Sequence, residues 1–206
     1  MKYGELNLGQ IEAIVNKLGG MESALRFLRG ETLVSEPEKK WREENGIIYF
    51  SLTSDGATGE QWIIRLESKD FRVSDYAKSI LCSKSFKPTN GVTYEIAVLK
   101  GEIFSDNDRI TKNIRKEAKN RKLSTPNAEA ACLFREKFSD KELEAMGLYW
   151  IVVMHEPIKD SDGDPLLLSA GRDGSGSWLD ADCGGSGSRW VRGGGFAFVL
   201  SQVSGS

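Results

Sequence analysis

Residues 171–200 read GRDGSGSWLD ADCGGSGSRW VRGGGFAFVL, and the interpretation of this stretch decides the fold. Between Gly171 and Gly195 stand nine Gly, four Ser, three Asp, three Arg, two Trp and one Cys in twenty-five residues, with no Asn. A plain flexible linker would not carry Trp178, Leu179 and Trp190. Nor would it run into Phe196-Ala197-Phe198-Val199-Leu200, where Phe196, Phe198 and Leu200 share one face of a strand. The stretch therefore reads as structured hairpin loops leading to a strand that closes a sheet. Alternation sets Ser177, Leu179 and Ala181 on one side and Trp178, Asp180 and Asp182 on the other. Trp and Arg dominate binding hot spots, and Ser and Gly supply adaptable polar contacts. The candidate ligand-binding residues are accordingly Arg172, Asp173, Ser175, Ser177, Trp178, Asp180, Asp182, Cys183, Ser186, Ser188, Arg189, Trp190 and Arg192. Trp178 and Trp190 serve as anchors if they point outward; packing in the core is the competing role for both. Gly, Ser, Asp, Arg and Cys also share a coding property: each is reached from an asparagine AAC codon by replacing adenines.

Upstream of this stretch, Tyr149-Trp150-Ile151-Val152-Val153-Met154 is apolar on both alternating faces, which predicts a central strand covered on each side. Leu166 to Ser169 is a further strand. Ile47 to Leu52 and Trp62 to Leu66, separated by the turn-rich Ser54-Asp55-Gly56-Ala57-Thr58-Gly59, read as a hairpin. Ser74 caps a short helix through Leu81, with Tyr76, Ala77, Ile80 and Leu81 inward, and Thr93 to Leu99 is another strand. From Asp106 to Met146 the pattern is helical in three pieces. They open at Ser105 with Asp108, at Thr125 before Pro126, and at the capping-box pair Ser139 and Glu142; Gly147 stops the last. At the N-terminus, Ile11, Ile14, Val15 and Leu18, then Ala24, Leu25 and Leu28 across Gly19-Gly20, form a helical pair. Residues 31 to 45, with Pro37 and the charge run Glu38 to Glu44, read as a polar linker. Two segments result: 1–45, a helical pair and linker, and 46–206, an α+β domain.

The chain has 206 residues, 28 basic and 30 acidic side chains and a net charge of −2. That length buries roughly 70% of the surface exposed by the unfolded chain, so no metal or disulfide is required for a core. The near-neutral charge disfavours a general nucleic-acid binder. Cys82, Cys132 and Cys183 are an odd set without framework spacing, which points to free thiols and a cytoplasmic location. No apolar run is long enough for a membrane span, and Met1 to Asn7 shows no signal-peptide pattern. Ten of the 22 glycines fall in the last 36 positions, which directs attention to the C-terminal loops.

Other motifs compete for function. His155 is the single histidine, so any His-based relay or hydrolase or transferase chemistry would need it, with an acidic neighbour. Asp160-Ser161-Asp162-Gly163-Asp164 resembles the start of a calcium loop, but its glycine is in the wrong place and position twelve is Gly171, so a polar β-turn accounts for it. The run Arg109, Lys112, Arg115, Lys116, Lys119, Arg121 and Lys122 lies opposite Ile110, Ile114 and Ala118. Either it is a solvated helix face, or, with the N-terminal helical pair, it makes a nucleic-acid-associated regulator.

Four segments carry a family resemblance: Thr125-Pro126-Asn127-Ala128-Glu129-Ala130-Ala131, Met146 to Ile158, Asp160-Ser161-Asp162-Gly163, and Trp190-Val191-Arg192-Gly193-Gly194-Gly195-Phe196-Ala197-Phe198. They resemble uncharacterised proteins of small-genome candidate bacterial lineages. From about residue 125 onward the chain is similar to the variable proteins of diversity-generating retroelements, in which an adenine-specific reverse transcriptase rewrites a 3′ coding segment. The resemblance implies a C-type-lectin-like fold, whose last strand begins with Gly195-Phe196 and whose preceding loops display varied residues. Ala197 departs from the arginine often found next in that motif. The function so implied is non-enzymatic display of a binding face to a protein or other macromolecular ligand, with no catalytic residue, metal or cofactor.

Overall fold

The apolar run at 149–154 forms strand β5 (Trp150–Val153), hydrogen-bonded on both sides, with Ile151, Val152 and Val153 buried. This is a computed structural model, and it describes residues 6–33 and 39–204, so Pro37 and Glu38 of the polar segment and Met1 to Glu5 lie outside the described residues. The chain divides into two compact units, Met1–Lys39 and Lys40–Ser206. The first holds α1 (Leu8–Lys17) and α2 (Met21–Leu28). The second is a mixed α+β unit. It runs β1 (Arg42–Glu44), β2 (Ile47–Asp55), α3 (Gly59–Glu67), β3 (Arg72–Val73), α4 (Asp75–Leu81), β4 (Asn90–Lys100) and a 3-10 turn at Gly101–Ile103. Then follow α5 (Thr111–Asn120), α6 (Ala130–Lys137), α7 (Asp140–Ala145), β5, β6 (Ile158–Lys159), β7 (Pro165–Asp173), β8 (Gly176–Cys183) and β9 (Gly194–Ser204).

The strands make one open mixed sheet in the order β1-β2-β4-β9-β5-β7-β8-β3, with β6 paired to β7 off that path. β9 pairs with β4 antiparallel and with β5 parallel. The last strand was expected to close the sheet; it lies in the middle, joining an N-terminal half to the β5–β7–β8 half. A β-bulge shifts the register opposite Glu95 and Ile96, so Leu200 leaves the alternation of Phe196 and Phe198 and is half exposed.

Each sheet face has its own core. On the back, Trp62 and Leu66 of α3, Ala77 and Ile80 of α4, Phe134 of α6 and Leu143 of α7 pack against Phe50, Ile96, Leu168 and Leu179. On the front, Ile114 and Ala118 of α5 cover Val152, Met154, Phe196 and Phe198. From the back, β8 meets α4, α6 and, through Asp140, α7; on the front the cluster under α5 takes in Leu167 of β7 but no apolar residue of β8.

Several local expectations change. Trp62–Leu66 is helical and not the second arm of a hairpin, because Thr58 and Gln61 form a capping box and the i, i+4 pair Trp62 and Leu66 turns inward. α4 has the expected Ser74 cap, but Tyr76 points to solvent. α7 starts at the expected Ser139–Glu142 box, and Gly147 follows with φ +75°. α5 and α6 begin later than their expected caps, at Thr111 and Ala130. Within the expected linker, Arg42–Glu44 pairs with β2 as an edge strand.

Candidate functional site

The β7–β8 hairpin sets Gly171 opposite Trp178, Ser169 opposite Asp180, and Leu167 opposite Asp182. Its turn is held by Asp173, whose Oδ1 accepts from the Ser175 amide (2.7 Å), the Ser175 hydroxyl (2.6 Å), the Gly176 amide (3.1 Å) and Trp178 Nε1 (3.1 Å). The Ser175 hydroxyl, then its amide, holds the Asp173 carboxyl below the usual range. On the front, Trp150 of β5, Ser169 of β7, and Trp178, Asp180 and Asp182 of β8 line a shallow cavity of about 210 Å³. A neighbouring hollow of about 360 Å³ shares Trp150 and Asp182 and is walled by Cys183, Ser188, Arg189, Trp190 and Val191. Asp182 accepts from the Ser169 hydroxyl at 2.6 Å, and burial, with Asp180 beside it, pushes its carboxyl upward. Asp180 accepts from the Ala181 amide at 2.8 Å. Trp178 is half-buried, with the Arg72 guanidinium 5.2 Å from its ring centroid.

Two candidate residues direct their polar groups to the back, Arg172 while still bordering the cavity. Ser177 donates to Asp140 Oδ2 at 2.5 Å, and Arg172 lies 3.4 Å from Glu144 and over the Tyr149 ring. Behind them sits fully buried Arg135, donating to Gly171 O (3.0 Å) and Phe138 O (2.6 Å) and paired with Asp140 at 3.0 Å.

The loop at 184–193 is tied to the start of α5. The Thr111 and Lys112 amides donate to Ser188 O and Ser186 O, and the Trp190 amide to Arg109 O, each at 3.0 Å. Ile110 at the N-cap offers no side-chain acceptor, so loop carbonyls satisfy amides that a helix start leaves unpaired. Trp190 donates from Nε1 to Thr111 Oγ1 at 2.9 Å and stacks edge-on against Phe196 at 5.9 Å, which makes it a staple of the loop. Ser186, Arg189 and Arg192 are exposed, as is Cys183, whose sulfur accepts from the Ser188 hydroxyl at 3.5 Å.

The glycines of this region divide by packing. A Cβ on Gly171 would stand 2.5 Å from Trp150 Cβ, and one on Gly184 2.4 Å from Leu167 Cγ. At Gly174 and Gly187 it would meet nothing within 4 Å. Trp150 and Ser169, which sequence reasoning placed only in core strands, belong to the face. The sequence holds no signal for Trp150, because the 149–154 run is apolar on both faces and only strand pairing brings Gly171 and Gly194 beside it.

The rival motifs are occupied structurally. His155 is 2% exposed: Nδ1 donates to Glu156 O (2.7 Å) and Nε2 accepts from the Leu168 amide (2.9 Å), and burial depresses its pKa to about 4. Asp160 Oδ1 accepts from the Asp162 and Asp164 amides, closing the β6–β7 turn. Among the described residues no cluster of three or more His, Cys, Asp or Glu is placed to hold a metal. In the basic run, buried Arg109 donates to Gly101 O and Phe104 O, and Arg115 to Met154 O and His155 O, which leaves Lys112, Lys116, Lys119, Lys122 and the Glu117-paired Arg121 exposed. No described helix is long and apolar enough to cross a membrane. Comparison of the chain with protein-family models, curated proteins and solved structures returns no match.

Proposed function

We propose that the protein is a non-enzymatic binding protein in which the front of β7–β8 and the adjoining 184–193 loop form a diversified ligand face on a C-type-lectin-like scaffold. The observation that carries this reading is the pair of shallow front cavities, where Trp150, Trp178, Asp180 and Asp182 converge beside a pinned loop. The strand order supports the lectin-like assignment: the Gly195-Phe196 strand returns beside β4, and the elements just before it form the exposed hairpin and loop. Trp178 supplies apolar contact, while Asp180, Asp182, Ser175, Arg189 and Arg192 set polar specificity. The ligand is a protein or other macromolecule, met without cofactor or metal. Three free thiols suit the cytoplasm.

The scaffold tolerates exchange at such positions because a buried sheet fixes the backbone beneath them. Sequencing the neighbouring DNA tests the reading. The expected finding is a near-copy of the segment encoding residues 171–195, differing at its adenines, beside a reverse transcriptase gene. Differences should fall on front-face codons such as those for Asp180 and Asp182 and spare those for Gly171, Gly184 and Gly194. Absence of the near-copy overturns diversification.

A further inference from the structure

The unit Met1–Lys39, taken by itself, has an apolar surface that its own two helices do not bury. α1 contains no buried residue and α2 contains one, Ala24. Leu8, Ile11 and Ile14 on α1 and Met21, Leu25 and Leu28 on α2 are between 45% and 85% exposed. Their spacing sets each trio along one side of its helix. Helices of ten and eight residues are marginal in water without tertiary packing, and a unit this small lacks a sufficient core of its own.

The charges narrow the choice of partner. Among residues 6–33, Glu12, Glu22 and Glu31 balance Lys17, Arg26 and Arg29. Nucleic acid or an anionic membrane would select a basic excess, and a strongly charged protein partner an excess of the opposite sign. A balanced surface instead suits contact with itself, since two copies meet without net repulsion. The six exposed side chains offer on the order of 700 Å² per copy, close to the ~800 Å² that each partner gives to a standard interface.

We propose that this helical pair docks against the same pair of a second copy, making a four-helix bundle about a two-fold axis. A dimer would present two Lys40–Ser206 units, so a repeated ligand would be held at both. The self-association itself does not depend on the proposed binding face.

Sedimentation velocity of the full chain over a micromolar to submillimolar range tests it. The expected result is a concentration-dependent monomer–dimer equilibrium, and the Ile14→Glu, Leu25→Glu variant should raise its dissociation constant by roughly a hundredfold. Both positions lie outside the Lys40–Ser206 unit, so its melting should stay unchanged, and at a dilution where the parent is monomeric the variant should keep the parent's helical ellipticity, which separates lost docking from lost folding. Amide exchange in residues 8–28 should slow as the dimer forms. A monomer at every concentration overturns the proposal, as does a dimer that survives the substitutions. Capture of the monomer on phosphatidylcholine–phosphatidylglycerol vesicles through these helices would also overturn it.

Discussion

On its back, the β7–β8 hairpin hands Ser177 to Asp140 and the Gly171 carbonyl to buried Arg135; on its front, three and five residues beyond Ser177 along β8, Asp180 and Asp182 line an open cavity. The residue types on the two sides are similar. Their roles differ because the pleat alternates, so the back meets α6 and α7 while on the front Trp178, Asp180 and Asp182 border a shallow cavity. Composition therefore marks the region, and the strand face decides which of its polar residues are structural.

The largest effect expected from this contrast is on the back. Arg135→Ala leaves the Gly171 and Phe138 carbonyls without their donor and Asp140 with the Ser177 hydroxyl in place of its ion pair, and chemical denaturation should report a loss of about 3–5 kcal/mol. A loss below about 1 kcal/mol would mean the hairpin is not anchored from behind. His155 makes a pH-dependent counterpart. Its folded pKa of about 4 lies below the ordinary 6.5, so the unfolded chain binds more protons between these values, and stability falls as pH drops through that window. The size is about 3 kcal/mol, absent above pH 6.5 and fully felt below pH 4. In the His155→Gln variant, melting curves across this range should lose that slope.

A smaller effect separates the glycines. Gly171→Ala should cost about 1–3 kcal/mol through its clash with Trp150, whereas Gly187→Ala, facing open space, should stay within about 0.5 kcal/mol of the parent. Equal costs would erase the division into packed and free glycines. The smallest effect belongs to the front: Asp180→Ser and Asp182→Ser should change stability by under about 1 kcal/mol, Asp182 at the stabilising end because burial already disfavours its charge. A cooperative loss of fold on either change would place these residues in the scaffold and break the comparison.

The legible parts of this chain are those where a signal is local. The double-sided apolar run at 149–154, the Ser74 and Ser139 caps and the alternation of Trp178, Asp180 and Asp182 are set by residues a few positions apart, and each is present in the structure. The Thr58–Gln61 capping box is equally local, but Thr58 falls inside the turn-rich 54–59 segment, where the same residues also suit a hairpin turn. The start of α5 had no local signal, since its amides are satisfied by carbonyls of Ser186 and Ser188, over seventy residues away.

By itself, the sequence determined a mixed α+β chain with a helical N-terminal segment, a buried central strand and a Gly/Ser/Asp/Arg-rich C-terminal region that is ordered. The reason is that hydrophobic period and capping act over one or two turns or a few strand residues. Only the tertiary structure decided that β9 lies inside the sheet, that Trp190 is a staple and Trp150 part of the face, and that Arg172 and Ser177 turn to the back. Strand order and side-chain environment arise from contacts between distant segments, and alternation along one strand says which residues share a face without saying which face a helix will cover.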